Sequence, residues 1–280
     1  MYSVVIPTYN RDADLYKCLD CLREYFERPT LKQRSFDAEV IVSDDARQKE
    51  LQRYLALHYP WVRYLEGPGR GPAANRNNGA SKARGEWLVF TDDDCLPCAG
   101  WLDIFHASSH KARVLEGRTN ADRARERLDE ESPINAGGYL WSCNFAITRA
   151  LFESLGGFDE NFPFAAMEDM DLKKRIDDAG EKVPFLSDAV VVHPWRRLRG
   201  LAFLNKKQRS ELYFWSKHPA LAPSSLPRYY AYLCIRSVLK ITLPGALKYH
   251  CRGLKTAIGY DAWLLFQSLR FLVQTRADKF

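Results

Sequence analysis

The chain has 280 residues, of which 46% are hydrophobic and 27% charged, and its formal net charge is +6. This composition excludes wholesale disorder, and the length allows one large domain or one domain with an appendage. Residues 193–280 hold 16 Lys and Arg but three Asp and Glu, whereas residues 1–192 have a charge balance of −7. Such asymmetry indicates that the C-terminal part meets an anionic partner, either a membrane or a nucleic acid.

The N-terminal segment MYSVVIPTYN enters a strand pattern at once, without a basic segment ahead of an apolar run. This start and the odd number of cysteines, seven, predict reduced thiols and a cytoplasmic location. Two Cys-x-x-Cys pairs, Cys18/Cys21 and Cys95/Cys98, leave a structural zinc site as an alternative. Cys18 lies at helical spacing with neighbouring leucines, which favours a buried stripe.

The first hundred residues alternate between apolar runs and helical patterns. Strands are predicted in YSVVIP, AEVIVSDD, VRYLEG and EWLVFTDDD. Helices are predicted in DADLYKCLDCLREYFE, in KELQRYLALHY and, after a glycine/proline turn, in GPGRGPAANRNNGASKARG. This alternation predicts the α/β class, with a single doubly wound, mostly parallel sheet and helices on both faces.

Polar side chains follow the predicted strand ends. Thr8 and Asn10 come after the first strand, Asp44 and Asp45 end the second, and Asp92–Asp94 follow the fourth. Ligands of doubly wound sheets bind outside the carboxyl ends of the strands, so we expect a site at this edge.

Beyond residue 100 the pattern loosens. Strands are predicted in VLEGRTN, CNFAIT and KVPFLSDAVVVHPW, helices in GWLDIFHASSH and EDMDLKKRIDDAG, and a charged, then Gly-rich loop in ADRARERLDEESPINAGG. We predict a catalytic domain over residues 1–195 and a helical, basic and aromatic appendage over residues 196–280. Charges such as Arg236 and Asp261 interrupt the apolar runs of the appendage, which argues against a membrane span. Helices that lie in a membrane interface and helices that only pack as a subdomain are the two interpretations.

The three adjacent aspartates repel one another and lose solvation if they are covered. A hard cation such as Mg²⁺ or Mn²⁺ would remove that cost, because it prefers carboxylate oxygens and often keeps a phosphate as a further ligand. The alternative is a solvated acidic turn.

Seven segments resemble, in sequence and in order, the family 2 glycosyltransferases: VVIPTYNR, EVIVSDD, ANRNNGA, LVFTDDDCLP, GGFDENF, MEDMDLKKR and VVVHPW. The family consists of inverting enzymes with the GT-A fold, and the resemblance covers about residues 2–195. It implies a GT-A fold here and the transfer of a sugar from a nucleoside-diphosphate donor, with UDP as the first expectation, to a saccharide acceptor.

By this resemblance the aspartate triplet is the D-x-D motif of the family. Asp94 is the first choice for contact with a divalent metal, Mn²⁺ or Mg²⁺, and Asp92 contacts the metal or the donor hydroxyls. His193 resembles a histidine that supplies another ligand in some relatives, and its alternative role is to cap a strand. The residues expected to bind the donor are Pro7, Thr8, Tyr9, Asn10, Arg11, Asp45, Arg76, Asp92 and Asp93.

One segment departs from the family pattern. After the paired aspartates the family usually has Gly-Ser, and this chain has Ala46-Arg47. Arg47 could change the choice of donor or contact a phosphate, so the nucleotide stays open.

Asp169 matches the E-D motif of the family and is the expected catalytic base, with Glu168 as the fallback. Acids in the first turn of a helix also stabilise its dipole, which is the alternative reading of this segment.

The Q-x-x-R-W motif of processive synthases does not occur in residues 195–280, which indicates one sugar added per encounter. The acceptor is expected to be a saccharide, lipid-linked, and met by peripheral contact with an anionic membrane at the inner face of the plasma membrane. A sugar nucleotidyltransferase is a second class, but PTYNRDADL lacks the glycines that such enzymes need after the first strand. A nucleic-acid-binding protein is a third class, which the −7 balance of residues 1–192 opposes.

Overall fold

The structure, a computed structural model, describes residues 1–27 and 36–277. The chain divides into two compact units. The first consists of Met1–Asp122 and Pro133–Pro194, and the second of Arg123–Ser132 and the chain from Trp195 onward. Both units are therefore discontinuous in sequence.

Ten strands form two sheets within the described residues. In chain order they are β1 (Tyr2–Thr8), β2 (Ala38–Asp44), β3 (Val62–Glu66), β4 (Trp87–Phe90), β5 (Leu96–Pro97), β6 (Val114–Ala121), β7 (Glu130–Glu131), β8 (Phe145–Thr148), β9 (Phe185–His193) and β10 (Arg196–Arg197). The large sheet belongs to the first unit and has the order β3-β2-β1-β4-β8-β6-β9-β5. The pair β7 and β10 belongs to the second unit.

The large sheet is mixed but mostly parallel. Its strands β3, β2, β1 and β4 are parallel to one another, and β6 is parallel to β9. Strand β8 runs antiparallel between β4 and β6, and β5 runs antiparallel at the edge beside β9. The predicted doubly wound, mostly parallel sheet is confirmed, and the antiparallel strands β8 and β5 are the features that the alternating pattern did not predict.

Six helices belong to the first unit: α1 (Asp12–Glu27), α2 (Lys49–His58), α3 (Pro72–Ser81), α4 (Trp101–Ser108), α5 (Arg149–Ser154) and α6 (Glu168–Asp178). They flank the sheet on both faces, because alternate residues of each strand point to opposite sides. In β1, Val4 and Ile6 join the core that includes α1 and α4, whereas Val5 joins the core that includes α3 and α6. In α1, Cys18 is buried among leucines, as its helical spacing predicted.

Close packing of α3 on the sheet depends on Gly79. A Cβ added there would lie 2.5 Å from Cγ1 of Val5, well inside van der Waals contact. Replacement of Gly79 by alanine would therefore push α3 away from β1, and α3 carries Arg76.

The second unit contains α7 (Leu201–Lys217), α8 (Leu226–Ser237), α9 (Leu243–Lys248) and α10 (Leu254–Ala277). A small core around Tyr230, Leu264 and Phe271 holds α8 and α10 together. A π-helical turn, Val238–Thr242, connects α8 to α9, and the buried carboxylate of Asp261 accepts hydrogen bonds from Ser237 and, at 2.7 Å, from Thr242. Within residues 1–27 and 36–277, no helix combines the length and the apolar character needed to cross a membrane.

Candidate active site

The carboxyl ends of β1, β2, β4, β6 and β9 meet along one edge of the large sheet. Thr8 and Asp44, the last residues of β1 and β2, are partners in the register, and His193 pairs with Ala121 at the ends of β9 and β6. Asp92–Asp94 continue the chain directly after β4. The sheet thus brings the polar residues that follow these strands to one edge, where the sequence predicted a site.

Arg11 neutralises two of the three aspartates. Its Nη1 lies 2.6 Å from Oδ1 of Asp93 and its Nη2 lies 3.0 Å from Oδ2 of Asp94. Asp93 also accepts a hydrogen bond of 2.9 Å from the hydroxyl of Thr8. Burial raises the pKa of Asp93, and the Arg11 charge opposes this shift. Arg11 was predicted to line the nucleotide. In this structure its guanidinium balances the charge of Asp93 and Asp94, which lowers the free-energy cost of burying them.

Arg76 connects the third aspartate to α6. Its Nη2 lies 2.6 Å from Oδ1 of Asp92, and its Nη1 lies 3.4 Å from Oε1 of Glu168. The guanidinium is buried and lies 5.5 Å from the ring centroid of Phe158. Burial alone would lower the pKa of Arg76, but the carboxylates of Asp92 and Glu168 outweigh it and raise the pKa. One cation therefore joins the residues expected at the donor to those expected at the acceptor.

Glu168 and Asp169 begin α6, directly after Met167, whose backbone has φ of 74°. Glu168 is buried, and its Oε2 has no hydrogen-bond partner within the described part of the chain. Asp169 accepts a hydrogen bond of 2.8 Å from the backbone N–H of Met170 and another from the backbone of Ser142. Burial raises the pKa of Asp169, and burial together with the Asp169 charge raises the pKa of Glu168 to about 7. Glu168 therefore holds its proton up to about pH 7.

The raised pKa of Glu168 has a consequence for stability. Its folded-state pKa of about 7 lies above the ordinary value of 4.5, so the folded state binds this proton more tightly than the unfolded chain does. The stabilisation is complete below the ordinary value and is lost as the pH rises through about 7. Relative to wild type, Glu168→Gln is therefore expected to gain up to about 3 kcal/mol between about pH 5 and pH 8.

Urea unfolding at a series of pH values measures this difference. The exposed Glu153→Gln, in α5, is the matched control, and its stability is expected to follow that of wild type at every pH. Parallel pH profiles for Glu168→Gln and wild type would contradict the prediction.

Asp94, Cys95 and His193 form a buried group whose potential ligand atoms all lie within 4.8 Å of one another. Nε2 of His193 lies 3.6 Å from Oδ1 of Asp94, too far for a hydrogen bond but close enough for both atoms to reach one ion at about 2.1 Å. Burial lowers the pKa of His193, which keeps the imidazole neutral and able to ligate.

The sulfur in this group does not suit a hard metal. A hydrogen bond with Cys143 and burial raise the pKa of Cys95 well above its ordinary value, so it stays a thiol. The donor set that fits Mn²⁺ or Mg²⁺ is the carboxylate of Asp94 with the imidazole of His193, while Asp92 pairs with Arg76. None of the seven cysteines forms a disulfide bond, and the zinc alternative finds no set of four cysteines among the described residues.

Asp45 and Arg47 hold the glycine-rich loop that leads into α3. The carboxylate of Asp45 accepts hydrogen bonds from the backbone N–H of Gly69, at 2.9 Å, and of Gly71, at 2.8 Å. Nε of Arg47 donates to the carbonyl of Gly67 at 2.8 Å. A carboxylate has about four lone-pair sites, so Asp45 keeps capacity to accept a further N–H from a ligand. Arg47, which stands where the family usually has Ser, thus holds the same loop as Asp45.

Asp44 makes a local turn with the residues that follow it. It accepts hydrogen bonds from the backbone N–H of Ala46 and Gln48 and from the hydroxyl of Tyr64, and it is fully buried.

The remaining residues that were predicted to bind the donor differ in exposure. Pro7 is buried within β1, Tyr9 is 62% exposed, and Asn10 has φ of 53° at the turn that follows the strand.

Sequence reasoning missed the role of Asn75. Its Nδ2 donates to the carbonyls of Thr8, at 3.2 Å, and Ser43, at 2.8 Å, and so joins the ends of β1 and β2. Its Oδ1 is buried without a partner in the described chain. The sequence signal that could have indicated this role was the position of Asn75 in ANRNNGA, next to Arg76. An amide on the first turn of α3 faces the strand ends there.

Comparison with known proteins finds a family profile and several similar proteins. Residues 3–107 match the profile described as Glycosyl transferase family 2. The glycosyltransferase AglE of Haloferax volcanii is 29% identical over 211 residues, which are 69% of this chain and 67% of that protein. The GalNAc(5)-diNAcBac-PP-undecaprenol beta-1,3-glucosyltransferase of Campylobacter jejuni is 28% identical over 152 residues, and this chain spans 47% of its length.

Among solved structures, the mannosyltransferase PcManGT from Pyrobaculum calidifontis, in complex with GDP-Man and Mn²⁺, matches with a TM-score of 0.56. The match covers 99% of this chain and 75% of that one at 19% identity. At this identity the likeness speaks for the fold alone, and it confirms the GT-A architecture of the sheet and its flanking helices.

Proposed function

We propose that this chain, whose residues 3–107 match the profile described as Glycosyl transferase family 2, is a member of that family and moves one sugar from a nucleoside-diphosphate donor to a hydroxyl of a saccharide acceptor. The observation that carries the proposal is the position of Arg76, whose guanidinium contacts Asp92 of the aspartate triplet and Glu168 beside Asp169. Asp92, proposed to bind the donor, and Glu168, the neighbour of the proposed base, therefore contact the same guanidinium. Transfer needs both groups close together.

On the donor side, Asp94 and His193 would hold a divalent metal, with Asp92 as the further acid of the motif. When bound, the metal neutralises charge that develops on the leaving diphosphate. The chain supplies its own cations nearby. Arg11 and Arg76 lie against the aspartate turn, and each has a fixed position from which a guanidinium can bind phosphate oxygens.

The loop formed by Pro7, Thr8, Tyr9, Asn10 and Arg11 is proposed to line the nucleotide base. Asp45 would accept the N3–H of a pyrimidine, since its two oxygens already lie at the carboxyl end of β2. UDP is the expected nucleotide, and the GDP-Man bound by PcManGT makes GDP the second donor to test.

On the acceptor side, Asp169 is proposed as the general base. Burial raises the pKa of Asp169, and the pKa of the neighbouring Glu168 is raised to about 7. With Glu168 protonated, Asp169 would be the carboxylate of the pair that accepts a proton. The base removes the proton of the attacking hydroxyl as the glycosidic bond forms. Attack from the face opposite the leaving group inverts the anomeric carbon.

The acceptor is proposed to be lipid-linked, as the name of the Campylobacter jejuni relative states for that protein. Support comes from the second unit, where α8, the π-helical turn and α9 expose a stripe of apolar and basic side chains. The stripe consists of Arg228, Tyr232, Ile235, Arg236, Leu239, Lys240, Leu243, Leu247 and Lys248. Basic and apolar groups on one helical face suit the surface of an anionic bilayer, and we place the enzyme peripherally at the inner face of the plasma membrane.

The stripe predicts binding of the full chain to vesicles that contain phosphatidylglycerol, and weaker binding as ionic strength rises. The double variant Leu243→Glu/Leu247→Glu is expected to lose most of this binding, because Leu247 is 83% exposed and each glutamate adds repulsion. Leu57→Glu, an equally exposed position on α2, is the control and should bind like wild type. Failure of wild type to bind at low ionic strength would remove the membrane part of the proposal.

Donor binding is the direct test of the function. Calorimetry with UDP-, GDP-, dTDP- and CDP-sugars, with and without Mn²⁺, is expected to find one nucleotide that binds only with metal. Loss of an outer-shell partner of a metal weakens binding by about 10- to 100-fold. Asp94→Ala should weaken nucleotide binding by more than this, because Asp94 is the proposed direct ligand. Asp188→Ala, an exposed acid of β9, should bind like wild type. No binding of any nucleotide in the presence of metal would overturn the proposed function.

A further inference from the structure

The loop that leads into β8 carries a stacked aromatic pair. The rings of Tyr139 and Trp141 are nearly parallel, at 4°, with centroids 5.2 Å apart. Trp141 also packs against the core of the first unit, whereas Tyr139 is 49% exposed. The pair therefore consists of an anchored ring and an outer ring that presents surface to solvent.

The strand register fixes where this loop meets the sheet. Phe145, the first residue of β8, lies opposite Phe90, the last residue of β4, and opposite Glu116 of β6. The loop therefore reaches the sheet at the edge where Asp92–Asp94 leave it. Ser142, next to Trp141, bonds through its backbone to the carboxylate of Asp169. The aromatic pair lies beside the proposed base, on the acceptor side.

A buried acid, Glu116, anchors the backbone of this loop. The carboxylate of Glu116 accepts hydrogen bonds of 2.7–2.8 Å from the side chain of Asn135 and from the backbone N–H groups of Gly138, Tyr139 and Leu140. Glu116 itself is almost fully buried. A loop that only connected two strands would not need a desolvated acid to fix its backbone, whereas a binding surface gains affinity from such preorganisation.

The indole N–H of Trp141 gives a second, independent observation. Its nitrogen is buried and has no acceptor within residues 1–27 and 36–277. A buried donor without a partner costs about 1–3 kcal/mol. Packing alone does not account for a tryptophan at this position, since an apolar ring would fill the same space without that cost.

We propose that Tyr139 and Trp141 form a platform on which a pyranose ring of the acceptor stacks, with its hydroxyl directed to Asp169. A pyranose has one face of C–H groups, and the electron-rich face of an aromatic ring attracts those weakly positive hydrogens. Its hydroxyl rim would meet the polar groups of the loop. This assignment rests on the proposed function, and it gives the acceptor subsite its chemical class: an uncharged sugar ring.

Saccharide binding tests the platform without any turnover. Saturation-transfer NMR on the full chain would use methyl α- and β-glycosides of glucose, galactose, mannose, GlcNAc and GalNAc as probes. At least one glycoside is expected to receive saturation at its ring C–H groups, and Tyr139→Ala should weaken its binding by about tenfold. Tyr139→Phe should retain binding, because stacking needs the ring and not the hydroxyl.

Tyr54→Ala is the matched control. Tyr54 is 39% exposed and stacks on Tyr16 with centroids 4.3 Å apart, but it lies on α2, away from the residues that contact Asp169. It should bind the glycosides like wild type. The same three variants should bind the nucleotide donor with unchanged affinity, since none of them contacts the aspartate turn.

The two readouts separate the two proposals. Glycoside binding that is lost in Tyr139→Ala supports the platform even if no nucleotide binds, in which case the transferase proposal alone fails. Absence of glycoside binding by wild type, or equal binding by wild type and Tyr139→Ala, overturns the platform whatever the donor result. Loss of glycoside binding in Tyr54→Ala as well would also overturn it, because the effect would then not belong to this loop.

Discussion

Asp169→Asn is expected to lower kcat by about 10²–10⁴-fold, the range of a general base, while donor affinity stays unchanged. The amide oxygen can still accept the hydrogen bond from the backbone N–H of Met170, so the start of α6 persists. What is lost is the group that takes the proton of the acceptor hydroxyl. Initial rates with saturating donor, together with donor calorimetry, separate the two effects.

Asp177→Asn serves as the control for this substitution. Asp177 lies on the same helix, α6, in an exposed pair with Lys173, and its loss should leave kcat unchanged. If Glu168→Gln abolished activity while Asp169→Asn retained it, Glu168 would be the base and the assignment of the pair would be reversed. Burial raises the pKa of Asp169. As the solution is acidified, the wild-type rate should therefore begin to fall at a higher pH than it would if the base were an exposed aspartate.

Arg76→Met is expected to lower the free energy of unfolding by about 3–5 kcal/mol at neutral pH. The guanidinium is buried between Asp92 and Glu168, and its removal leaves two carboxylates without their cation. The Arg76 charge also holds the pKa of Glu168 down, so that pKa should rise further in the variant. The loss of stability should therefore shrink as the pH falls and Glu168 is protonated.

Arg113→Met gives the comparison for an exposed ion pair. Arg113 pairs with Glu181, and its side chain is 60% exposed, so its removal should change stability by less than about 1 kcal/mol. Urea unfolding of both variants at neutral and acidic pH measures the contrast. Equal losses for Arg76→Met and Arg113→Met would mean that the buried bridge contributes no more than a surface pair.

Local patterns were sufficient to predict the parallel half of the sheet and its polar edge. Mainly apolar runs such as YSVVIP and EWLVF can be read from the chain alone, because burial on both faces leaves few polar positions. The antiparallel β8 was different. Its four residues carry no signal for direction, which the structure settles through pairing with both β4 and β6.

Partners of the site residues could not be predicted in the same way. Arg11 pairs with aspartates 82 and 83 positions away, and Arg76 pairs with Glu168 at a separation of 92. Glu116 gave no signal at all, since a single acid in VLEGRTN reads as an exposed position of a strand. Its buried carboxylate is explained by three backbone N–H groups from residues 138–140, which only the folded loop presents.

The chain passes from one unit to the other three times, after residues 122, 132 and 194. These crossings determine where the protein could be cut into separate domains. A chain cut after Pro194 would still carry residues 123–132, whose Leu128 and Asp129 bond through their backbones to Arg252 and Leu198. Left without those partners, the segment would expose a buried leucine and acids and invite aggregation. Thr119 and Asn135 bond to each other on either side of it, at 2.9 and 3.2 Å. A short turn inserted there in place of the ten-residue excursion would therefore give a first unit able to fold by itself.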